Sequence, residues 1–377
     1  MENPKIDEEV MLGSSTAAHQ IEGNLTNNWS EWAEENLDNP AGEAVNHYEK
    51  FEDDYEMASE IGHDVLRFSI AWSRIMPEPN TIDYNELEHY RRRVLCLKRN
   101  GIEPMISLWH FSHPTWFADQ GEWVNGDTSK FDELVQVVVD YLGDLVDYWV
   151  TFNEPQGFCW MAYGRDWWPP ELNSKIAYLK AERNMIKTHR RASRIINNNV
   201  ADSKIGIAKS YIRFNSTNIF NKQISKLGKL LCNRHFVSLI EDDLDFIGVN
   251  YYFNKTPRID GLEDPSTDED RCPPYPSGLY SVIREAWENH KLPVIVTETG
   301  TADEHKREWY LINSLRAVQS ARRDGIPVQG YLYWSLMDCF EWHSGWGMNF
   351  GLINVDRESQ NRDIRDFSRT FKQIADR

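Results

Sequence analysis

The chain has 377 residues, enough for one large barrel or two domains and for a sizeable buried core. It carries 59 acidic against 41 basic residues, a net charge of −18, which argues against nucleic acids and anionic membrane surfaces as partners. The polar N-terminus has no apolar signal region, and no run approaches the roughly 18 apolar residues of a membrane span.

The five cysteines are scattered, with no CxxC pair and no metal-ligand spacing. An odd number of cysteines in a large chain argues against a disulfide framework. Together with the absence of a signal region, this predicts a cytoplasmic protein.

Eight apolar segments of strand length recur along the chain, and helical patterns lie between most of them. The predicted strands are residues 11–13, 64–70, 104–109, 148–152, 204–208, 244–250, 293–297 and 328–334. Amphipathic helices are predicted at 48–61, 85–99, 130–145 and 309–323, where apolar residues recur at steps of three and four.

The alternation of strands and helices predicts the fold class. Strand and helix repeated eight times, without a linker or a composition break, is typical of an α/β protein with a single (β/α)8 TIM barrel spanning residues 1–377. Segment 260–278 is rich in Pro, Asp and Ser and is predicted to be a surface loop between the sixth and seventh strands.

Two of the predicted strands end in a glutamate followed by a turn former. The fourth leads into Glu154 and Pro155, and the seventh into Glu298 and, two residues on, Gly300. Parallel barrels carry their chemistry at the carboxyl ends of the strands. One such glutamate alone is usually a solvated rim residue or half of an ion pair, but two of them supply the acid and the nucleophile that glycoside hydrolysis needs.

Seven motifs extend this pattern over essentially the whole chain. They are GSSTAAHQIEG (13–23), RFSIAWSRI (67–75), SLWHF (107–111), NEP (153–155), FIGVNYY (246–252), TETG (297–300) and WSLMDCFEW (334–342). In this order they resemble glycoside hydrolase family 1, the β-glucosidase and β-galactosidase family with a TIM-barrel fold.

The resemblance implies roles for four residues around the reacting bond. Glu154 corresponds to the acid/base and Glu298 to the nucleophile of a retaining exo-β-glycosidase. Arg67 and Tyr252 correspond to residues that lie against the nucleophile, where an arginine lowers a carboxyl pKa by about 1–3 units. Glu154 must be protonated near neutral pH, so it is expected to be desolvated or close to the charge of Glu298.

Further residues match the positions that hold the nonreducing sugar. Gln20, His110, Asn153 and Glu341 are expected to bind its hydroxyls, and Trp334 and Trp342 to form an apolar floor. The chain has no HExxH motif and no glycine-rich phosphate loop after a strand, so we predict no metal and no organic cofactor. The expected partner is a small-molecule β-glycoside; the sequence does not fix the oligomeric state.

Three departures from the family pattern leave questions open. Thr299 stands where the family usually has Asn, and the chain is short between residues 211 and 244 and before the seventh strand, which predicts an open aglycone side. Segment 343–350 has no lysine and follows Glu341, which favours an unphosphorylated sugar. Glucose, galactose and fucose remain candidates, and the alternative is a catalytically weak sugar-binding relative.

Overall fold

A closed barrel of eight parallel strands forms the centre of the protein in the computed structural model, which describes residues 3–215, 219–255 and 274–376. Each strand pairs with the next one in the chain, and the eighth pairs with the first. The strands are β1 (Met11–Ser15), β2 (Val65–Ser69), β3 (Glu103–Ser107), β4 (Tyr148–Asn153), β5 (Lys204–Phe214), β6 (Phe246–Lys255), β7 (Val294–Glu298) and β8 (Val328–Trp334). The predicted (β/α)8 fold is confirmed.

Helices of very different length connect the strands. They are α1 (Ala18–Ile21), α2 (Asn28–Asn36), α3 (His47–Ile61), α4 (Trp72–Ile75), α5 (Tyr84–Arg99), α6 (Thr115–Asp119), α7 (Glu122–Asn125), α8 (Ser129–Leu142), α9 (Pro155–Cys159), α10 (Lys175–Asn199), α11 (Ile219–Gly228), α12 (His235–Ser238), α13 (Gly278–His290), α14 (Arg307–Arg323) and α15 (Asp366–Ala375). A small antiparallel sheet of β9 (Ile353–Val355) and β10 (Arg362–Ile364) follows β8. No helix in the described ranges is long and apolar enough to cross a membrane.

The strands are apolar on both faces because both faces are buried. One cluster of seven fully or almost fully buried residues, drawn from seven of the strands, is Val65, Met105, Val150, Ala208, Phe246, Ile295 and Leu332. A second, larger cluster packs the strands against the surrounding helices. Burial on both faces explains why the strands read as continuous apolar runs in the sequence.

The four predicted amphipathic helices correspond to α3, α5, α8 and α14. Helix α3 ends at Gly62, whose φ of 91° is a left-handed conformation that glycine adopts without steric cost. Asp83 caps α5, because its carboxylate accepts a hydrogen bond of 2.8 Å from the Asn85 backbone N–H. Helix α8 stops at Leu142, three residues before the predicted end.

The largest departures from the sequence prediction concern β5, β6 and the segment after them. These strands run together past the predicted ends, up to the pairing of Phe214 with Lys255. Such an extension depends on pairing between strands rather than on local apolar pattern. Most of the predicted loop 260–278 lies outside the described residues, and its last residue, Gly278, begins α13 rather than ending a loop.

Candidate active site

The carboxyl ends of the barrel strands open into a cavity of about 690 Å³. Eight of the ten sequence-predicted site residues line it: His110, Asn153, Glu154, Tyr252, Glu298, Trp334, Glu341 and Trp342. The other two, Arg67 and Gln20, are fully buried and hydrogen-bond to residues of the cavity wall. The structure therefore brings all ten together.

The backbone at the ends of β4 and β7 aims both glutamates into the cavity. Glu154 has a φ of 44°, an unusual left-handed conformation for a residue with a side chain, and its N–H donates to the Ala208 carbonyl at 2.7 Å. Glu298 is the last residue of β7. At Gly300 an added Cβ would lie 2.2 Å from the Trp334 carbonyl oxygen, so the turn after Glu298 requires glycine.

A chain of hydrogen bonds connects the two carboxyls. Arg67 Nη1 donates to Glu298 Oε1 and Arg67 Nη2 to Asn153 Oδ1, both at 2.7 Å. Asn250 Nδ2 donates to Asn153 Oδ1 at 3.1 Å and to Glu154 Oε1 at 2.9 Å. Glu298 has a second donor in the Tyr252 hydroxyl, at 3.2 Å from Oε2.

Burial raises the pKa of both carboxyls. The pKa of Glu298 rises to about 7, because loss of water outweighs the attraction of Arg67 and because the charge of Glu154 acts in the same direction as burial. Arg67 thus has the expected effect on Glu298 without determining the direction of the shift. Burial also raises the pKa of Glu154, against the opposing effects of Asn250 and Lys209.

The hydrogen bonds of Asn153 determine which nitrogen of the His110 ring carries the proton. Because Asn153 Oδ1 accepts from two donors, its amide nitrogen faces His110 Nε2, at 2.9 Å. The imidazole nitrogen must therefore accept, which puts the ring proton on Nδ1. Burial lowers the pKa of His110 well below its usual value, so the ring is neutral.

Gln20 positions Glu341. Its side-chain nitrogen donates to the Phe340 carbonyl at 2.6 Å and to Glu341 Oε2 at 3.1 Å. Its buried Oε1 has no partner among the described residues, which leaves an acceptor for a ligand hydroxyl. The His110 ring lies against both predicted floor residues, with centroid distances of 5.7 Å to Trp334 and 5.8 Å to Trp342.

Thr299 is fully buried behind the cavity. Its hydroxyl lies 2.9 Å from the Tyr251 carbonyl oxygen, to which it donates, and 2.7 Å from the Tyr310 hydroxyl. Glu298 keeps its contacts with Arg67 and Tyr252 beside this threonine.

Sequence reasoning missed several residues of the site. Asn250 lay within one of the motifs, but nothing in its neighbourhood indicated a contact with Glu154. Lys209 is buried near Glu154 and donates to the Cys232 carbonyl at 2.6 Å. Trp168 lines the cavity and donates to His343 Nδ1 at 3.1 Å; the adjacent tryptophans at 167–168 were the available signal.

The structure offers little for a metal ion. The described residues contain no group of three or more His, Cys, Asp or Glu side chains that could hold one. The four described cysteines, Cys96, Cys159, Cys232 and Cys339, are free thiols, and Cys272 lies outside the described residues.

A closed (β/α)8 barrel with two glutamates in one cavity at its carboxyl end has the architecture of a glycoside hydrolase. The chain belongs to glycosyl hydrolase family 1, whose family model matches residues 3–219 and 261–377. The family that the motifs predicted is thereby confirmed.

Solved structures support the same assignment. A β-glycosidase from Pyrococcus horikoshii has a TM-score of 0.91 and 29% identity, over 99% of this chain and 95% of its own. A β-glucosidase from Thermotoga maritima, solved in complex with glucoimidazole, has a TM-score of 0.93 and 25% identity, over 99% of both chains.

Curated relatives fall into two groups by length. Beta-glucosidase A of Acetivibrio thermocellus is 28% identical over 97% of both chains. The chloroplastic galactolipid galactosyltransferase SFR2 of Arabidopsis thaliana is 34% identical over 84% of this chain, which covers 54% of the plant protein. The chain thus spans about half the length of that transferase.

Proposed function

We propose that the chain is a single-domain retaining exo-β-glycosidase that removes a terminal nonreducing glucose, galactose or fucose from small β-glycosides. The observation that carries this proposal is the pair of glutamates in one cavity, with an arginine and a tyrosine donating to only one of them. An asymmetric carboxyl pair of this kind supplies an anionic nucleophile and a neutral acid.

In the proposed reaction Glu298 attacks the anomeric carbon while Glu154 gives its proton to the departing glycosidic oxygen. The bond to the aglycone breaks, and a covalent glycosyl ester forms on Glu298. Glu154, now ionised, takes a proton from a water molecule that attacks the same carbon and releases Glu298. Two inversions return the sugar with its β configuration.

The remaining predicted residues would hold the sugar. Asn153, fixed by Arg67 and Asn250, would bind the 2-hydroxyl, a contact that strengthens in the transition state. Glu341, held by Gln20, would bind the 4- and 6-hydroxyls. Its carboxylate would repel a 6-phosphate, which favours an unphosphorylated sugar.

A panel of nitrophenyl β-glycosides tests this proposal. The glucoside, the galactoside and the fucoside should be hydrolysed. Nitrophenyl 6-phospho-β-glucoside should be a much poorer substrate than the glucoside. Sugar binding by calorimetry without release of nitrophenol from any member of the panel would favour the alternative, a sugar-binding relative without turnover.

Glycosyl transfer is a second candidate function, favoured by the 34% identity to a galactolipid galactosyltransferase. The same covalent intermediate serves both reactions, since a sugar hydroxyl can replace water as the attacking group. Incubation of nitrophenyl β-galactoside with an excess of a galactoside acceptor distinguishes them. A transferase yields a galactosyl-extended acceptor, whereas a hydrolase yields free galactose in step with nitrophenol.

A further inference from the structure

Two neighbouring outer elements are strongly basic although the whole chain is acidic. Helix α10 and the helical segment 219–234 together contain eleven Lys or Arg and one Asp or Glu, a net charge of +10 in a chain with a net charge of −18. The single acid, Glu182, is buried and accepts a hydrogen bond of 3.0 Å from Gln156. No acidic side chain on these elements is therefore exposed.

The basic residues of α10 form one exposed stripe. Arg183, Lys187, Arg190 and Arg194 recur at steps of three and four, so they share a face of the helix, and all four are exposed. Arg190 is 3.6 Å from Asp243. Arg183, Lys187 and Arg194 form no ion pair with any residue in the described ranges, so their charge is not neutralised there.

The same face becomes apolar at the start of α10. Ile176 is 80% exposed and Leu179 60%, unusual values for large aliphatic side chains in a row. The second element adds Leu227, Leu230 and Leu231, each about half exposed at 55%, 49% and 50%.

Hydrogen bonds and a ring contact connect the start of α10 with segment 219–234 and with Trp160. Gln156 Nε2 donates to the Leu231 carbonyl at 2.9 Å and lies 3.5 Å from the Tyr178 hydroxyl. The Tyr178 ring meets the ring of Trp160 edge to face, at a centroid distance of 5.6 Å, and Trp160 is itself 41% exposed. The start of α10 therefore lies close to Trp160 and to the backbone of Leu231.

We propose that this surface docks on an anionic lipid bilayer. We call it the basic–apolar face, and it comprises Trp160, Ile176, Leu179, Arg183, Lys187 and Arg194. Helices that lie in a membrane interface combine exposed Trp and aliphatic residues with a flanking basic stripe, and anionic headgroups attract that stripe. The net charge argued against an anionic membrane partner, but net charge does not report how charge is distributed over the surface.

The apolar residues decide between a bilayer and other occupants. A nucleic acid would use the basic stripe and leave Ile176 and Leu179 in water. A second copy of the same acidic chain would meet the face with its own identical basic stripe in a two-fold dimer, and like charges would oppose it. An anionic bilayer matches both parts of the face, because its headgroups attract the basic residues and its acyl chains bury the apolar ones.

Docking in this way would place the cavity next to the lipid. Trp160 belongs to the basic–apolar face, and the adjacent Met161 lines the cavity. The inference goes beyond the proposed function and does not depend on it, because membrane binding needs neither catalytic glutamate.

Sedimentation with vesicles tests the proposal. Wild-type protein should bind vesicles of phosphatidylcholine mixed with phosphatidylglycerol, bind vesicles of phosphatidylcholine alone far less, and be released by added salt. In the variant R183Q/K187Q/R194Q, the partition coefficient should fall by about fivefold for each charge removed. I176S/L179S should also lower it, at unchanged charge.

A matched control separates the face from overall charge. R323Q/R369Q/K372Q removes three exposed positive charges from α14 and α15 and should leave vesicle binding as in the wild type. All variants should keep the circular dichroism spectrum and the urea unfolding midpoint of the wild type, which shows that they are folded.

Several results would overturn the proposal. One is that the wild-type protein does not bind anionic vesicles. Another is that the control variant loses as much vesicle binding as R183Q/K187Q/R194Q. A third is that I176S/L179S binds vesicles as well as the wild type. A concentration-dependent dimer in sedimentation velocity that I176S/L179S dissociates would assign the face to a second copy of the chain instead.

Discussion

Glu154 and Glu298 differ in what donates to them, and that difference supports the proposed roles. Glu298 accepts from a guanidinium and a phenol, while Glu154 accepts from the amide of Asn250. Charged donors stabilise a carboxylate more than neutral ones do. When the pair shares one negative charge, we therefore expect that charge to rest on Glu298 and the proton to rest on Glu154.

Azide should distinguish the two glutamates. Glu298→Gly should abolish hydrolysis, and azide entering the vacated space should restore turnover as the inverted α-glycosyl azide. Glu154→Ala should reduce activity on poor leaving groups far more than on activated ones, because only the former need a proton donor. With azide it should yield the retained β-glycosyl azide. The opposite stereochemistry in the two variants would show that the roles are reversed.

Tyr252 should shift the pH profile. Burial raises the pKa of Tyr252 well above its usual value, so its hydroxyl remains a donor to ionised Glu298. The nucleophile must be ionised, so kcat/KM should fall as the pH drops through the pKa of Glu298, which burial raises above its usual value. Tyr252→Phe removes a donor to the charged form, which raises that pKa and moves the acidic limb up by about one unit.

The control for this prediction is Tyr84→Phe, which changes an exposed tyrosine. Its pH profile should coincide with that of the wild type. An acidic limb in Tyr252→Phe that stays in place or moves to lower pH would contradict the assignment of that limb to Glu298.

Glu341 should set the preference for sugars with a 6-hydroxyl. A site built to bind a hydroxyl is penalised when that hydroxyl is missing, so glucosides and galactosides should exceed xylosides in kcat/KM. Glu341→Ala should narrow that gap. Fucosides, which keep the axial 4-hydroxyl of galactose and lack the 6-hydroxyl, test the same contact. An equal loss on glucosides and xylosides would mean that Glu341 is structural.

At the scale of elements, a buried ion-pair cluster fastens the segment after β1 to α5. Glu22 pairs with Arg93 of α5 and with Arg74, at 3.2 Å, and accepts from the Tyr90 hydroxyl at 3.0 Å. Glu22 and Arg93 are both essentially inaccessible to water. Gln20, two residues earlier, holds Glu341, so this cluster supports the part of the cavity wall that contains Glu341.

Glu22→Gln should therefore destabilise the fold. The change leaves two arginines without a buried counter-charge, and breaking a buried pair in this way costs about 3–5 kcal/mol. Urea unfolding followed by circular dichroism measures the loss. Glu288→Gln, which breaks an exposed pair with Arg284, is the control and should have far less effect because solvent screens that pair. Equal effects would contradict a supporting role for the cluster.

Local patterns were sufficient to predict the elements that are defined by local chemistry. Helices α3 and α5 followed from apolar periodicity, and the eight strands from their apolar runs. The extensions of β5 and β6 were missed because they lie beyond the continuous apolar runs. Residues 209–214 and 251–255 include strand-favouring Tyr, Ile and Phe, and they pair with each other.

The residues of the site also divide into those that local sequence predicted and those that it did not. The motifs located all ten residues that the structure brings together, because each lies in one of the seven recognisable motifs. Lys209 and Asn250 escaped notice because their relation to Glu154 depends on how neighbouring strands place their side chains. The raised pKa of Glu298 was also missed, since burial is a property of the assembled barrel and not of Arg67 and Glu298 alone.

At the scale of the molecule, the fold places two carboxyls of unequal character across one cavity. A retaining enzyme requires them about 5–5.5 Å apart, and an inverting enzyme about 6.5–9.5 Å apart, to leave room for water. The polarised pair, with donors concentrated on Glu298, suits direct attack on the sugar. Retention of configuration is thus the central claim about this protein.

Proton NMR during the first minutes of hydrolysis tests that claim most directly. With nitrophenyl β-glucoside as substrate, the H1 signal of β-glucose should appear first, and the α-anomer should follow only as mutarotation proceeds. If α-glucose appears first, the reaction inverts the anomeric centre, and Glu298 does not act as a nucleophile.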